Sequence, residues 1–249
     1  MIKLVRFFIE SEQLRDGTVT ITGNDAHHIT RVLRLEAGDL LECVDPQGFV
    51  HLVRVESVGS QVTGRVEETR KGLQESPLHL VLFQGLAKGD KMDLVIQKAV
   101  ELGAAEIVPF TSRYTVVKLG AKQEENKLRR WERIALEAAK QCGRTRLPKV
   151  EKVLSFGAVV AQVKEATAAG HLVLAAYEAE RERGISQIAA QPKTVWVIVG
   201  PEGGFTPEEI EQLQQAGAEI CTLGPRILRT ETAGLVLLSI VGHRWGDLG

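Results

Sequence analysis

The sequence is short of the residues that would place it in several protein classes. It has three cysteines in 249 residues, Cys43, Cys142 and Cys221. They stand 99 and 79 positions apart, which excludes a disulfide framework and every C-x-x-C zinc pattern, so a reducing cytosol is the expected compartment. Aromatics amount to 5%, too few for a surface built mainly on base stacking. No apolar run reaches about 18 residues, so no membrane span is expected. The opening MIKLVRFFIESEQ lacks the long apolar stretch and small-residue cleavage site of a secretory leader. Net charge is nearly absent, at −1.

What is present is an ordinary globular composition, 44% hydrophobic and 25% charged, sufficient for a sizeable core. The charge is unevenly spread. Residues 1–72 carry nine Lys+Arg against eleven Asp+Glu, residues 73–153 fifteen against ten, and residues 154–249 seven against eleven. The basic middle third could meet a polyanion or form a solvated helix face.

Residues 1–72 read as mostly β. Short β-type runs occur at Arg6–Ile9, Thr18–Ile21, Leu40–Val44, Phe49–Val58 and Gln61–Val66, with turn chemistry at Asp45-Pro46-Gln47-Gly48. One helix interrupts them, capped by Asn24 or Asp25 and carrying Ile29, Val32 and Leu33 at helical spacing. The expectation is a small barrel with one helix. The polar stretch Glu67–Pro77 is the natural boundary. From Leu78 strands and helices alternate. Strands are expected at 78–84, 107–110, 171–176, 195–199 and 220–223, and helices at 91–102, at 124–141 and, apolar nearly all round, at 231–241. Such alternation argues for a mostly parallel sheet covered on both faces.

Two loops stand out. VWVIVGPEGGFTPEE (195–209) runs from a buried strand through glycines into a helix with Thr206 as N-cap, Pro207 at its first position and Glu209 completing a capping box. Loops at the carboxyl ends of parallel strands are where open α/β sheets bind ligands, although a tight turn without a ligand fits the same residues. The loop lacks both the Gly-Lys-Ser/Thr of a P-loop and a G-x-G-x-x-G. Glu202 would repel a phosphate, which suits a neutral or cationic ligand better. The second loop, LGPRILRTETAG (223–234), sets Arg226 and Arg229 before Thr230, Glu231 and Thr232, with Thr230 able to cap the helix that follows. His27 and His28 are adjacent and no third ligand is suitably spaced, so RNA contact or a structural pair is expected rather than a metal. Cys142 and Cys221 are expected to be buried small hydrophobes.

VGPEGGF followed by LGPRILRTETA resembles the SPOUT methyltransferases, and more narrowly the RsmE family, which methylates N3 of a uridine in bacterial small-subunit ribosomal RNA. The likeness extends to FQGLAKGDKMDLVIQKAVELGAAEIVPF (83–110), RWERIALEAAKQCGR (130–144), RFF (6–8) and HHITRVLRL (27–35). It implies an α/β fold in two domains. Residues 1–72 would form a small PUA-like RNA-binding β-barrel, and residues 73–249 a SPOUT α/β domain with a C-terminal trefoil knot. It implies S-adenosylmethionine as cofactor, ribosomal RNA of the small subunit as partner, and a cytoplasmic homodimer with no metal. By the same resemblance the cofactor would be held by Leu174 and the loop after its strand, by Gly200, Pro201, Glu202 and Gly203, and by Leu223, Gly224, Ile227, Leu228, Arg229, Thr232 and Ala233. Adenine would be recognised largely through backbone groups near Leu223 and Leu228. Uridine N3 carries a weakly acidic proton, so the reaction needs that proton removed or the charge developing on O2 or O4 stabilised. Arg229 is the candidate stabiliser because its guanidinium stays charged, and Glu231 is the weaker candidate for base or orienter. Phosphate contacts are expected from Arg6, Arg31, Arg34, Lys88, Lys91, Lys98 and Arg144, with His27 and His28 beside them. A non-catalytic RNA-binding factor and a knotted methyltransferase acting on a ribose hydroxyl or on tRNA are the competing readings.

Overall fold

The computed structural model describes residues 4–73 and 75–249. Two compact units are present: the chain up to Glu75 together with Ala139–Leu147, and Ser76–Ala138 together with Pro148–Gly249.

In the first unit the strands are β1 (Arg6–Phe8), β2 (Leu14–Arg15), β3 (Thr18–Ile21), β4 (Leu40–Val44), β5 (Phe49–Val58) and β6 (Val62–Lys71). They form one sheet in the order β1-β4-β5-β6-β3-β2, parallel only between β1 and β4. Strand alternation turns Phe7, Val19, Ile21, Leu41, Cys43, Val53, Val55 and Val62 into a shared core. The Asp45–Gly48 turn forms as its residues demand. Gly48 N–H donates to the Asp45 carbonyl at 2.9 Å, and Asp45 Oδ1 accepts from Gln47 and Phe49 N–H at 3.0 and 2.9 Å.

The helix in this unit differs from expectation. A short α1 (Gly23–His27) follows Thr22, whose side chain makes no capping bond, and neither Asn24 nor Asp25 is the cap. A π-helical turn, His28–Leu33, continues it and ends at Arg34 in a left-handed conformation, φ 54°. The wider turn changes which residues point inward. Ile29 is buried, but Val32, expected on the apolar face, is 65% exposed.

Two arginines expected to meet phosphate are structural instead. Arg6 is 8% exposed and donates to Glu42 Oε2 through Nε (3.0 Å) and Nη2 (2.7 Å), and through Nη1 to the carbonyls of Gly143 and Arg144. Arg144 is 5% exposed and donates through Nη2 to Glu75 Oε2 at 2.7 Å. Glu75 also accepts the N–H groups of Thr145 and Arg146 at 2.8 and 2.9 Å. Burial alone would raise the Glu75 pKa, but the Arg144 guanidinium and the two N–H groups outweigh it and hold the carboxyl below its ordinary range. A carboxyl depressed in the folded state contributes stability above its unfolded pKa and loses it as pH falls through the folded one. Glu75→Gln therefore costs about 2 kcal/mol at pH 7, and the gap to the unsubstituted chain closes on acidification into the low carboxylate range. Denaturant titrations at the two pH values check this, and equal gaps at both would show that the charge of Glu75 is immaterial.

The second unit runs β7 (His79–Gly85), α2 (Lys91–Glu101), β8 (Glu106–Thr111), α3 (Ala121–Cys142), β9 (Lys149–Val150), β10 (Leu154–Ser155), α4 (Phe156–Ala168), β11 (Leu172–Ala176), β12 (Thr194–Val199), α5 (Pro207–Gln215), β13 (Glu219–Cys221) and α6 (Thr230–Trp245). The last turn of α3 belongs to the first unit. The sheet is parallel throughout, in the order β10-β8-β7-β12-β11-β13, with β9 beside β8. Both faces are covered, as the near-continuous apolar runs require. On one, Val81, Phe83, Val108, Phe110, Ile198 and Phe205 pack with residues of α4 and α5, and the Phe110 and Phe205 rings stack 6.1 Å apart. On the other, α6 packs against β7, β12 and α2. The chain visits β7, β8 and β10 in one direction and then β11, β12 and β13 on the far side. The loops after β11, β12 and β13 thus leave the same edge of the sheet, where the strand order reverses. No helix among the described residues is long and apolar enough to cross a membrane.

Candidate active site

Those three loops enclose a cavity of about 490 Å³, within the range of roughly 300–1,000 Å³ common for small-molecule sites. Ala176, Tyr177, Glu178 and Arg181 line it from the β11 loop, Gly200–Phe205 from the β12 loop, and Thr222–Gly224 with Arg226–Thr230 from the β13 loop. Val199, Ala233 and Lys91 complete the wall.

The glycine loop is held by its own sequence. Thr206 Oγ1 accepts from Glu209 N–H at 3.2 Å, and Glu209 Oε2 accepts from Thr206 N–H at 3.0 Å, with Pro207 opening α5. Glu209 reaches further, taking Arg113 N–H on Oε1 at 2.8 Å. Within the loop, Gly204 N–H closes a turn on the Pro201 carbonyl at 3.0 Å. Gly204 has φ +71°, a left-handed backbone that favours glycine, and a Cβ there would displace the Glu178 carboxylate, whose Oε1 would lie 2.4 Å away.

Thr230 does not cap α6. The N-cap is Arg229, whose side chain makes no capping bond, and Thr230 is the first helical residue. Its hydroxyl donates to the Gly200 carbonyl at 2.6 Å and accepts from Gln84 Nε2 at 2.8 Å. Gln84 is fully buried in the central strand β7 and also donates to the Gly85 carbonyl at 3.2 Å. A buried relay thus ties β7, the glycine loop and the start of α6 together. Since the hydroxyl proton of Thr230 is committed to Gly200, Gln84 must present its amide nitrogen to that oxygen.

Of the expected cofactor residues, Gly200, Pro201, Glu202, Gly203, Leu223, Gly224, Ile227, Leu228, Arg229 and Ala233 line the cavity. Leu174 does not, because it faces the core with no exposure. Thr232 points to solvent on α6, outside the wall. Arg226 and Arg229 are exposed cavity residues without an ion pair among the described residues. Glu231 lies in the first turn of α6, with Oε2 3.2 Å from Lys91 Nζ. Lys91, expected on RNA, stands in the cavity wall and also pairs with Glu202 at 3.4 Å. Lys98 pairs with Glu101 at 2.8 Å, while Lys88 is exposed. In the first unit His27, Arg31 and Arg34 are exposed, and His28 sits edge-on to the Phe7 ring. Burial pushes the Cys221 thiol up to about 12, with Glu180 adding to it, and Cys43 likewise to about 12. Neither is a nucleophile at neutral pH. Cys142 is half-buried rather than buried.

The loop after the Leu174 strand was expected at the site, but its Tyr177, Glu178 and Arg181 were not singled out, nor were Gln84 and Gly85 behind it. The β11 loop carries no motif of its own, and it was the family resemblance that pointed to it. Gln84 had one signal, a polar residue closing the apolar run HLVLFQG.

A family model described as an RNA methyltransferase domain matches residues 74–242, and one described as an RNA methyltransferase PUA domain matches residues 21–67. The ribosomal RNA small subunit methyltransferase E of Bacillus subtilis is 37% identical over 249 residues, covering 96% of this chain and 96% of its own length. The chain belongs to the ribosomal RNA small subunit methyltransferase E family. The enzyme of that name from Neisseria gonorrhoeae, solved with S-adenosylmethionine, superposes with a TM-score of 0.88 at 30% identity, covering 99% of this chain and all of that one. A Legionella pneumophila protein solved with the same bound cofactor gives 0.90 at 32% identity, over 99% of this chain and all of its own. The cavity suits that family's cofactor. Leu223, Leu228, Val199 and Ala233 offer an apolar surface for an adenine, and the glycine loop and Thr222–Gly224 bring backbone groups to the same space.

Proposed function

We propose that this chain is an S-adenosylmethionine-dependent methyltransferase acting on N3 of a uridine in small-subunit ribosomal RNA, with the assembled subunit as substrate. The observation that carries this reading is the convergence of GPEGG and LGPRILRTETA on one cavity beyond β12 and β13. Bound there, S-adenosylmethionine supplies an electrophilic methyl group on a positively charged sulfur. Arg229, exposed and unpaired at the cavity, is read as the group that meets the negative charge developing on a uridine carbonyl oxygen as the N3 proton leaves. Glu231, with its carboxylate at Lys91, acts as orienter of the site's first helical turn.

The first unit is read as the PUA-like RNA-binding barrel, supported by the PUA model over residues 21–67. His27, His28, Arg31 and Arg34 would present its π turn to RNA. Arg31→Gln with Arg34→Gln lowers the slope of log affinity against log salt by about one to two units. An unchanged slope removes both arginines from the phosphate contacts. The trefoil knot is supported by the end of α6, where Arg244 donates to the carbonyls of Ser186 and Ile188 and Trp245 to that of Ala190, all on the β11–β12 connection. A homodimer is in keeping with exposed Leu94 and Ile240 on the neighbouring helices α2 and α6.

The deciding experiment is methyl transfer from labelled S-adenosylmethionine to small subunits from a strain lacking this protein, mapped by reverse transcription. Methylation at N3 blocks the pairing edge, so a new stop at one uridine is expected. Label without a stop would assign the methyl to a ribose or a non-pairing atom. No label on subunits, with tRNA labelled instead, would assign a different RNA.

A further inference from the structure

Lys91 is the first residue of α2, where the positive end of the helix dipole disfavours a cation. Its position has a compensation. Nζ lies 3.4 Å from Glu202 Oε1 and 3.2 Å from Glu231 Oε2. One carboxylate belongs to the glycine loop after β12 and the other to the first turn of α6. Glu202 Oε1 also accepts Lys88 N–H at 2.8 Å, from the loop just before α2. Burial works to raise the Glu202 pKa, but the N–H groups of Lys88 and of Glu202 itself, with Lys91, more than offset it and keep the carboxyl ionised. Glu231 Oε2 is buried and has no hydrogen-bond partner among the described residues, so the nearby Lys91 charge is what compensates it.

We propose that Lys91 is a positioning residue of the cofactor cavity, clamping the glycine loop to the first turn of α6 through Glu202 and Glu231 rather than meeting RNA. The proposal rests on reading the cavity as the S-adenosylmethionine site. Without the cation, two carboxylates face each other in a partly buried wall, and their repulsion is relieved by the loop moving away from α6. That movement widens the cavity and frees Lys88 N–H.

The test uses the full chain with Lys91→Met, which keeps the aliphatic stem, Lys91→Arg, and Lys91→Met with Glu231→Gln. Amide hydrogen exchange at Lys88 is read without ligand. Calorimetry then gives the Kd for S-adenosylmethionine, and RNA affinity is measured across salt concentrations. Lys91→Met is expected to speed Lys88 exchange and to raise the Kd, each about tenfold. Lys91→Arg is expected to hold both near the starting values, and the double variant to recover most of the loss, with the RNA salt slope unchanged throughout. Unchanged exchange in Lys91→Met overturns the clamp, whatever the cofactor does. A flattened salt slope with unchanged exchange overturns it in favour of a phosphate contact. Faster exchange in a chain that never binds S-adenosylmethionine upholds the clamp and removes the cofactor reading instead.

Discussion

Arg229→Ala lowers kcat for methyl transfer by about 10²–10³-fold, the usual cost of removing one preorganised partner of a developing oxyanion. The fold is expected to tolerate the change. Arg229 is exposed, makes no capping bond to α6 and has no ion pair among the described residues, so its removal shifts stability by no more than about 0.5 kcal/mol. The placement makes the prediction specific. Thr230, the next residue, is locked to Gly200 and Gln84, which fixes the backbone from which Arg229 projects. Arg229→Lys retains the charge but not the planar fork and recovers only part of the rate. Steady-state kinetics with both substrates, alongside a thermal melt, decides the matter. Full turnover with unaltered cofactor affinity would show that Arg229 does not stabilise the reaction.

The legible parts of the fold were those in which one short-range pattern dominates. β4 and β5 were read to the residue because apolar and polar positions alternate through LLECV and FVHLVRVESV. β6 was cut short at Val66. Its last five residues, EETRK, look like a linker in the sequence, but they pair with β5 out to the Phe49–Lys71 register, and backbone pairing does not need apolar side chains. α4 was passed over although Ser155 caps it by accepting Ala158 N–H at 3.3 Å and the 13-residue run FGAVVAQVKEATA is longer than a buried strand. The π turn was unreadable, since one extra residue per turn rotates Val32 out of the face that an α-helix would bury.

The same distinction runs through the site. GPEGGFTPEE declares itself by glycines followed by a capping box, all within a few positions. The roles of Arg6, Lys91 and Arg144 depend on partners brought close only by tertiary structure, Glu42, Glu202, Glu231 and Glu75. A basic residue in a sequence carries no mark that tells a phosphate contact from a buried ion pair, so these three were placed on RNA. Leu174 lies on the strand that leads to the cavity, but its side chain belongs to the core and the lining begins at Ala176.

Gly85→Ala is expected to be the most damaging single methyl group in the second unit. A Cβ at Gly85 would lie 2.3 Å from Pro201 N and 2.6 Å from the Gly200 carbonyl carbon. Both are backbone atoms, which cannot swing aside as a side chain would. They cannot retreat either, because the Gly200 carbonyl is held by Thr230 at 2.6 Å and the loop turns back through Gly204 N–H on Pro201. Making room breaks the Thr230 bond and leaves a buried carbonyl unpaired. Overpacking and the lost bond together cost roughly 3 kcal/mol, a fall in Tm of about 6–12 °C for a chain of this size. Cofactor affinity falls with it, since the displaced peptide is part of the cavity wall. Gly157→Ala is the control: this glycine lies in the first turn of α4, with ordinary φ and nothing within 4 Å of an added Cβ, so the change raises stability by about 0.5–1 kcal/mol. A melt in which Gly85→Ala matches the unsubstituted chain would mean that the β7 end and the Gly200–Pro201 peptide are not in the contact that shapes the site.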